Sequence, residues 1–176
     1  TLAQRYTVGG SVRFDGSDMF GVAKKYRYLP LYSVSGLWRA SEESFMKEIK
    51  WLNKLSLRMS YGIQGNIDKN TSSYVMGDYK NVTILPGNTE EMISVSTPPK
   101  TKLKWEKTKT FNVGTDLAFL SNRLTFTIEY FNRLTSDMLL RVPTVSSSGL
   151  DASPMTNAGD VKNYGWETDF KWRDNI

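Results

Sequence analysis

At six places along this chain apolar and polar residues alternate one by one, and that period of two constrains the fold more than any other feature. From Trp105 the odd positions read Trp105, Lys107, Lys109, Phe111, Val113, Thr115, Leu117 and Phe119. The even positions read Glu106, Thr108, Thr110, Asn112, Gly114, Asp116 and Ala118. A strand with a greasy face and a charged face separates two media. The greasy faces here are rich in aromatics, and the polar faces carry enough charge to want water rather than a core. That combination predicts the wall of a membrane β-barrel more than a β-sandwich.

Mean hydropathy is −0.43, which resembles a water-soluble chain. A transmembrane strand, however, spends half of its residues on lipid, so its average is unremarkable. No run approaches the ~20 apolar residues that a spanning helix needs. The sequence has no Cys and no His, which removes disulfides, thiolate nucleophiles, zinc–histidine sites and histidine acid–base chemistry. Net charge is +5, but the Lys and Arg are scattered among acids rather than gathered in a stripe, so no nucleic-acid footprint is expected. Thr1 to Tyr6 shows no basic region followed by an apolar run, and Trp172 to Ile176 stops within strand-like sequence. The chain reads as an internal fragment without a signal peptide.

The first strand is expected from Tyr6 to Phe14, with Tyr6, Val8, Gly10, Val12 and Phe14 on one side, and a turn at Asp15-Gly16-Ser17. A second covers about Leu31 to Ala40, placing Tyr32, Val34 and Trp38 opposite Ser33, Ser35 and Arg39. At Ser41 the period changes. Ser41 is a candidate cap, Glu42 and Glu43 suit a helix start, and Phe45, Ile49 and Leu52 recur at helical spacing. Lys47, Lys50 and Lys54 follow at the far end, so a short amphipathic connecting helix is predicted, structural in role. Strand three runs from Leu55 to Ile63, and a long polar loop from Gly65-Asn66 to Pro99 follows. Strand four is the Trp105 segment, ending at the Ser121-Asn122-Arg123 turn. Strand five, Leu124 to Leu134, puts Leu124, Phe126, Ile128, Tyr130 and Leu134 outward and Thr125, Thr127, Glu129 and Arg133 inward. A second long loop covers Val142 to Asn163. Strand six sets Tyr164, Trp166, Thr168, Phe170 and Trp172 against Glu167, Asp169, Lys171 and Arg173. Connections after strands two and four are short, and those after strands one, three and five are long and polar. Outer-membrane barrels show this asymmetry.

Several blocks then carry a resemblance. They are Arg13-Phe14-Asp15-Gly16-Ser17 with Phe20-Gly21, Leu29-Pro30, and Trp38-Arg39-Ala40-Ser41-Glu42-Glu43-Ser44-Phe45. Next come Leu55-Ser56-Leu57-Arg58-Met59-Ser60-Tyr61-Gly62 with Gly65-Asn66, and Leu103-Lys104-Trp105-Glu106-Lys107-Thr108 with Asn112-Val113-Gly114-Thr115-Asp116. The last are Asn122-Arg123-Leu124, Glu129-Tyr130-Phe131, Thr135-Ser136-Asp137, and Asn157-Ala158-Gly159-Asp160-Val161-Lys162-Asn163-Tyr164-Gly165-Trp166-Glu167. In this order they resemble the SusC/RagA family of TonB-dependent outer-membrane transporters across nearly the whole chain. The resemblance implies an all-β fold: a segment of about six antiparallel strands, with one connecting helix, from the later half of an up-and-down transmembrane barrel. Residues 1–176 would be part of a receptor barrel domain whose plug, signal peptide and closing C-terminal strand lie elsewhere. Such barrels have roughly 22 strands around a plugged lumen. Six strands leave two open edges, so this piece is not expected to be stable alone in lipid.

The resemblance also implies a mechanism and partners. A SusD-like surface lipoprotein would deliver a glycan or peptide to the barrel, and the TonB complex, acting through regions absent here, would drive import. Outer-membrane lipid would surround the wall. No enzyme activity, cofactor or metal is implied, and no substrate-contacting residue can be carried over.

Other candidates weaken on inspection. Glu167 and Asp169 are two apart on one face, ~6–7 Å by strand rise, a spacing that overlaps that of inverting glycosidases, with Glu129 a possible neighbour. A hydrated face shared with Lys171 and Arg173 explains them more simply. Asp68-Lys69-Asn70-Thr71-Ser72 starts like a calcium loop, but Ser73 replaces the required Gly and Tyr79 the closing carboxylate. Asn81-Val82-Thr83 fits a glycosylation acceptor, a pattern common by chance. Trp38, Trp105, Trp166, Trp172 and Tyr130 on the apolar faces are expected to form wall and interfacial belt. Lys107 and Lys109 share that register and are tolerable only near an interface. The competing function is a soluble β-sandwich acting as a glycan-binding module or glycosidase, and a further one is a surface receptor barrel without transport. In the sandwich the apolar faces would be buried between two sheets.

Overall fold

The computed structural model describes residues 5–17, 28–67, 75–97, 103–143, 145, 147 and 153–174. Long strands dominate: β1 (Tyr6–Gly16), β2 (Tyr28–Arg39), β3 (Leu52–Asn66), β4 (Met76–Leu85), β5 (Asn88–Thr97), β6 (Glu106–Phe119) and β7 (Leu124–Ser136). The short β8 (Leu139–Arg141) and β9 (Met155–Asn157) precede β10 (Val161–Trp172). Six of them form one antiparallel sheet in the order β1-β2-β3-β6-β7-β10. Each expected strand is present, and the sheet is an open arc with β1 and β10 at its edges.

Register makes the two faces continuous. Val8, Gly36, Met59, Val113, Tyr130 and Trp166 are successive partners across all six strands. One residue along, Thr7, Leu37, Arg58, Gly114, Glu129 and Glu167 form the row on the opposite face. No second sheet covers the apolar face among the described residues. Val8 and Phe14 keep 74% and 72% of their surface exposed, and Trp166 keeps 71%. A sandwich core would bury these side chains, so the face is built to meet another apolar medium. From Phe111 to Phe119, and again from Tyr164 to Trp172, eight steps of ~3.4 Å give an apolar stretch of about 27 Å. Tilted by ~40°, that spans roughly 21 Å, close to the hydrocarbon band of an outer-membrane barrel.

The predicted helix does not form. Two 3-10 turns, Ala40–Glu42 and Ser44–Met46, make the connector, and no α-helix occurs among the described residues. Glu43 interrupts the helix with extended backbone angles, φ −75° and ψ 148°. Its carboxylate is held away from the connector by the Tyr6 hydroxyl, by Trp38 Nε1 at 3.2 Å and by Arg5 Nη1 at 3.0 Å. Tertiary bonds to the wall thus outweigh a weak local propensity. The β6–β7 turn, Leu120 to Arg123, takes left-handed angles at Leu120, Ser121 and Asn122. Asn53 Oδ1 steadies it by accepting the Ser121 amide at 2.7 Å.

The loop expected from Asn66 to Pro99 contains the β4–β5 hairpin, turning at Pro86-Gly87 with Gly87 at φ +86°. The second long loop contains β9, which pairs with β8 just before the loop begins. At this loop end of the sheet, Leu29, Leu31, Leu103, Trp105 and Leu139 form a buried cluster, with Ile63, Ile67 and Met155 packed against it.

Candidate functional site

The polar face is organised by ion pairs and side-chain hydrogen bonds between strands. Arg58 on β3 reaches across β6 to Glu129 on β7 at 3.0 Å and to Asp116 on β6 at 3.6 Å. The Thr127 hydroxyl donates to Asp116 at 3.1 Å. Gly114 makes this reach possible, since a Cβ there would lie 2.9 Å from Arg58 Nε. Ser11 pairs with Ser33 at 2.8 Å, and Thr108 with Thr135 at 3.0 Å. Two shallow recesses of about 300 Å³ open on this face. One borders Arg58, Ser60 and Glu129, and the other is lined by Asn112, Glu129, Phe131, Arg133, Asn163 and Glu167. Phe131 lies over Gly165, where a Cβ would come within 3.1 Å of the ring.

The structure places the suspected carboxylates on this face without making them a catalytic pair. Glu129 and Glu167 are register partners, but Glu129 is engaged by Arg58. Asp169 is paired with Lys171 at 3.0 Å. Among the described residues no three acidic side chains converge to hold a metal ion. The calcium-like stretch Asp68 to Ser73 lies outside the described residues. Asn81, Val82 and Thr83 sit within β4 rather than on a loop tip.

The apolar face carries the expected aromatics, with one correction. Tyr130 packs on Trp166 with ring centres 5.0 Å apart, Phe126 on Phe170 at 6.5 Å, and Tyr6 stacks on Trp38 at 6.5 Å. Trp172 is exposed at the turn end. Trp105 is not a belt residue. It is 6% exposed, enclosed by the loop-end cluster, because segments distant in sequence fold over it. Lys107 and Lys109 lie at this same end, beside Ser136 and Leu134, where a long cation can reach water.

A hydrogen-bonded knot joins the two long connections at the loop end. Asn157 accepts the Lys104 amide at 2.8 Å and donates to the carbonyls of Lys104 and Asp137 at 2.9 and 2.7 Å. Glu106 accepts the Leu139 amide at 2.7 Å and the Asn66 side-chain amide at 2.8 Å. Lys104 Nζ lies 3.5 Å from Asp137. Gly159 takes φ +88° within the same turn. The Leu103–Glu106 and Asn157–Asp160 blocks are therefore one structural unit.

Residues 1–175 match the family described as TonB dependent receptor-like, beta-barrel. The chain belongs to the TonB-dependent receptor β-barrel family. It is 30% identical to the TonB-dependent receptor SusC of Bacteroides thetaiotaomicron, over 95% of this chain and 17% of that protein. It is 32% identical to the TonB-dependent receptor P39 of Formosa agariphila, over 93% of this chain and 15% of that protein. Among solved structures, the RagAB peptide importer in its closed-closed state superposes with a TM-score of 0.83 and 32% identity. That match covers 98% of this chain and 18% of the other. This chain therefore spans less than a fifth of the length of these relatives. The wall is part of a SusC/RagA-type barrel of the Gram-negative outer membrane, with its apolar face toward lipid and its polar face toward the lumen. The tight β6–β7 turn lies at one end and the β4–β5 hairpin and the β8–β9 pair at the other; in such barrels tight turns lie on the periplasmic side and long excursions outside.

Proposed function

We propose that this chain is a wall segment of a TonB-dependent importer that takes up glycans or peptides with a SusD-like surface lipoprotein. One observation carries the reading: one register holds over six strands, so that aromatic and aliphatic side chains predominate toward lipid and ion pairs toward the lumen. A lumen wall that guides a polar cargo needs hydrogen-bonding groups fixed in place, and the Arg58–Glu129–Asp116 network supplies them. The knot around Asn157 and Glu106 gives the mouth a rigid rim on which a lipoprotein lid can bear. The names of the relatives, SusC and the RagAB peptide importer, agree with a transporter rather than an enzyme.

The test is uptake by cells that carry the parent barrel. A tagged parent protein drawn from outer membranes in mild detergent should bring a surface lipoprotein with it. Deleting its gene should abolish growth on one oligosaccharide or peptide source, and loss of TonB should do the same. Purification without a lipoprotein, together with normal uptake of every such source, contradicts the reading.

A further inference from the structure

The periplasmic connector between β2 and β3 holds bulky apolar side chains that the wall does not explain. Trp51 lies flat on Phe119, ring centres 5.8 Å apart and planes within 3°, yet keeps 62% of its surface exposed. Phe45, on the second 3-10 turn, is 63% exposed. Phe119 belongs to the lipid-side row that runs Leu52, Phe119, Leu124, Trp172 along the turn end of the sheet. Trp51 therefore continues the lipid-facing surface beyond the last strand residues, onto a segment with no strand partner. Two exposed lysines, Lys47 and Lys50, lie between these rings in the sequence, with one exposed acid, Glu48, between them.

We propose that this connector is an interfacial anchor that binds phospholipid headgroups of the periplasmic leaflet. The Trp51 indole and the Phe45 ring would sit at the boundary between hydrocarbon and headgroup, where amphipathic and aromatic rings are favoured. Lys47 and Lys50 would meet lipid phosphates as point charges. The shape of the connector supports this assignment. Glu43 pins its start to Arg5, Tyr6 and Trp38, and the Asn53–Ser121 bond pins its end to the β6–β7 turn. Its middle is thereby held against the rim rather than free to swing into the periplasm. A connection of only two or three residues would close β2 to β3 as well, so the extra length needs another explanation. The inference rests on the outer-membrane wall described above.

The experiment uses the intact parent barrel in vesicles of phosphatidylethanolamine and phosphatidylglycerol. A bimane label is attached at Phe45→Cys, with a second protein labelled at Trp166→Cys on the wall. Quenching is read with headgroup-TEMPO lipid, with 12-doxyl lipid and with aqueous iodide. The label at position 45 should be quenched roughly threefold more by headgroup-TEMPO than by 12-doxyl lipid, and be shielded from iodide. The label at position 166 should respond chiefly to 12-doxyl lipid. Free quenching of position 45 by iodide, with position 166 still in lipid, overturns the anchor and leaves the wall standing. Failure of both labels to sense lipid overturns the wall itself. Native mass spectrometry then reads the lysines: Lys47→Gln with Lys50→Gln should lower the number of retained phospholipids. Unchanged retention overturns the phosphate assignment.

Discussion

Replacing Ile128 by arginine puts a charge in the middle of the lipid-facing wall. Ile128 lies on β7 between its register partners Thr115 and Thr168, with Phe126 and Tyr130 on either side along the strand. None of these neighbours offers a carboxylate, so Ile128→Arg should cost ~2–4 kcal/mol, as for a cation near the bilayer midplane. Its neighbour Thr127 points to the lumen, with Asp116 and Asp169 as partners on the two sides. Thr127→Arg loses the 3.1 Å hydrogen bond to Asp116. That loss is worth about 1 kcal/mol, and pairing with two carboxylates returns a similar amount. The two adjacent substitutions should therefore differ by ~2–4 kcal/mol, roughly 30- to 700-fold in the folding equilibrium. Denaturant midpoints of the parent barrel in phospholipid vesicles measure the gap, and the heat-dependent gel shift of outer-membrane samples checks it in cells. Equal costs, or a larger cost at Thr127, would refute the assignment of faces.

Three further outcomes follow from particular contacts. Gly114→Val should drive a side chain into Arg58 and break its bridge to Glu129 and Asp116, destabilising the barrel by about 1 kcal/mol while Gly36→Val, which meets open space, costs less. The paired denaturant midpoints decide it. Asn157→Ala should remove the bonds that hold Lys104 to Asp137, leaving partly buried backbone groups without that partner at a cost of about 1 kcal/mol, read as faster limited proteolysis within residues 142–163. The Glu43 carboxyl, which lies outside the strands, is held below its ordinary value by the Tyr6 hydrogen bond first, then by Trp38 and Arg5, against the effect of burial. A carboxyl lowered in the folded state adds stability above its unfolded value, and loses it as pH falls through the folded one. Protease resistance of the connector should thus fall on acidification below pH 4.5, and Glu43→Gln should remove that step.

The strands were legible in the sequence because a sheet between lipid and water writes its period directly into residue order. Tyr6, Val8, Val12 and Phe14 needed no tertiary information to be placed together. The connector misled because Phe45, Ile49 and Leu52 fit a helix, while the bonds that pull Glu43 out of one come from Tyr6 and Arg5, far away in the chain. The β4–β5 hairpin had a local signal, Pro86-Gly87 between Tyr79–Leu85 and Asn88–Val95, that the polar composition of the surrounding loop obscured. Trp105 obeys the alternation and yet is not a belt residue, since its cover of Leu29, Leu31 and Leu139 is wholly non-local. The same limit applies to the lumen network. Arg58 meets Glu129 only because β6 lies between β3 and β7, and that order is fixed by the sheet rather than by spacing in the sequence.

Alternation between two media is the central claim, and it can be read one residue at a time. This chain has no cysteine, so single Cys substitutions from Phe111 to Leu117 in the parent barrel can each carry a spin label, provided the rest of that protein is free of reactive thiols. Collision with oxygen, which concentrates in lipid, is compared with collision with a water-soluble nickel complex. Labels at Phe111, Val113, Thr115 and Leu117 should favour oxygen, and those at Asn112, Gly114 and Asp116 should favour nickel, with a strict period of two. Loss of that period, or protection of the odd positions from both reagents as in a packed core, would contradict the barrel wall.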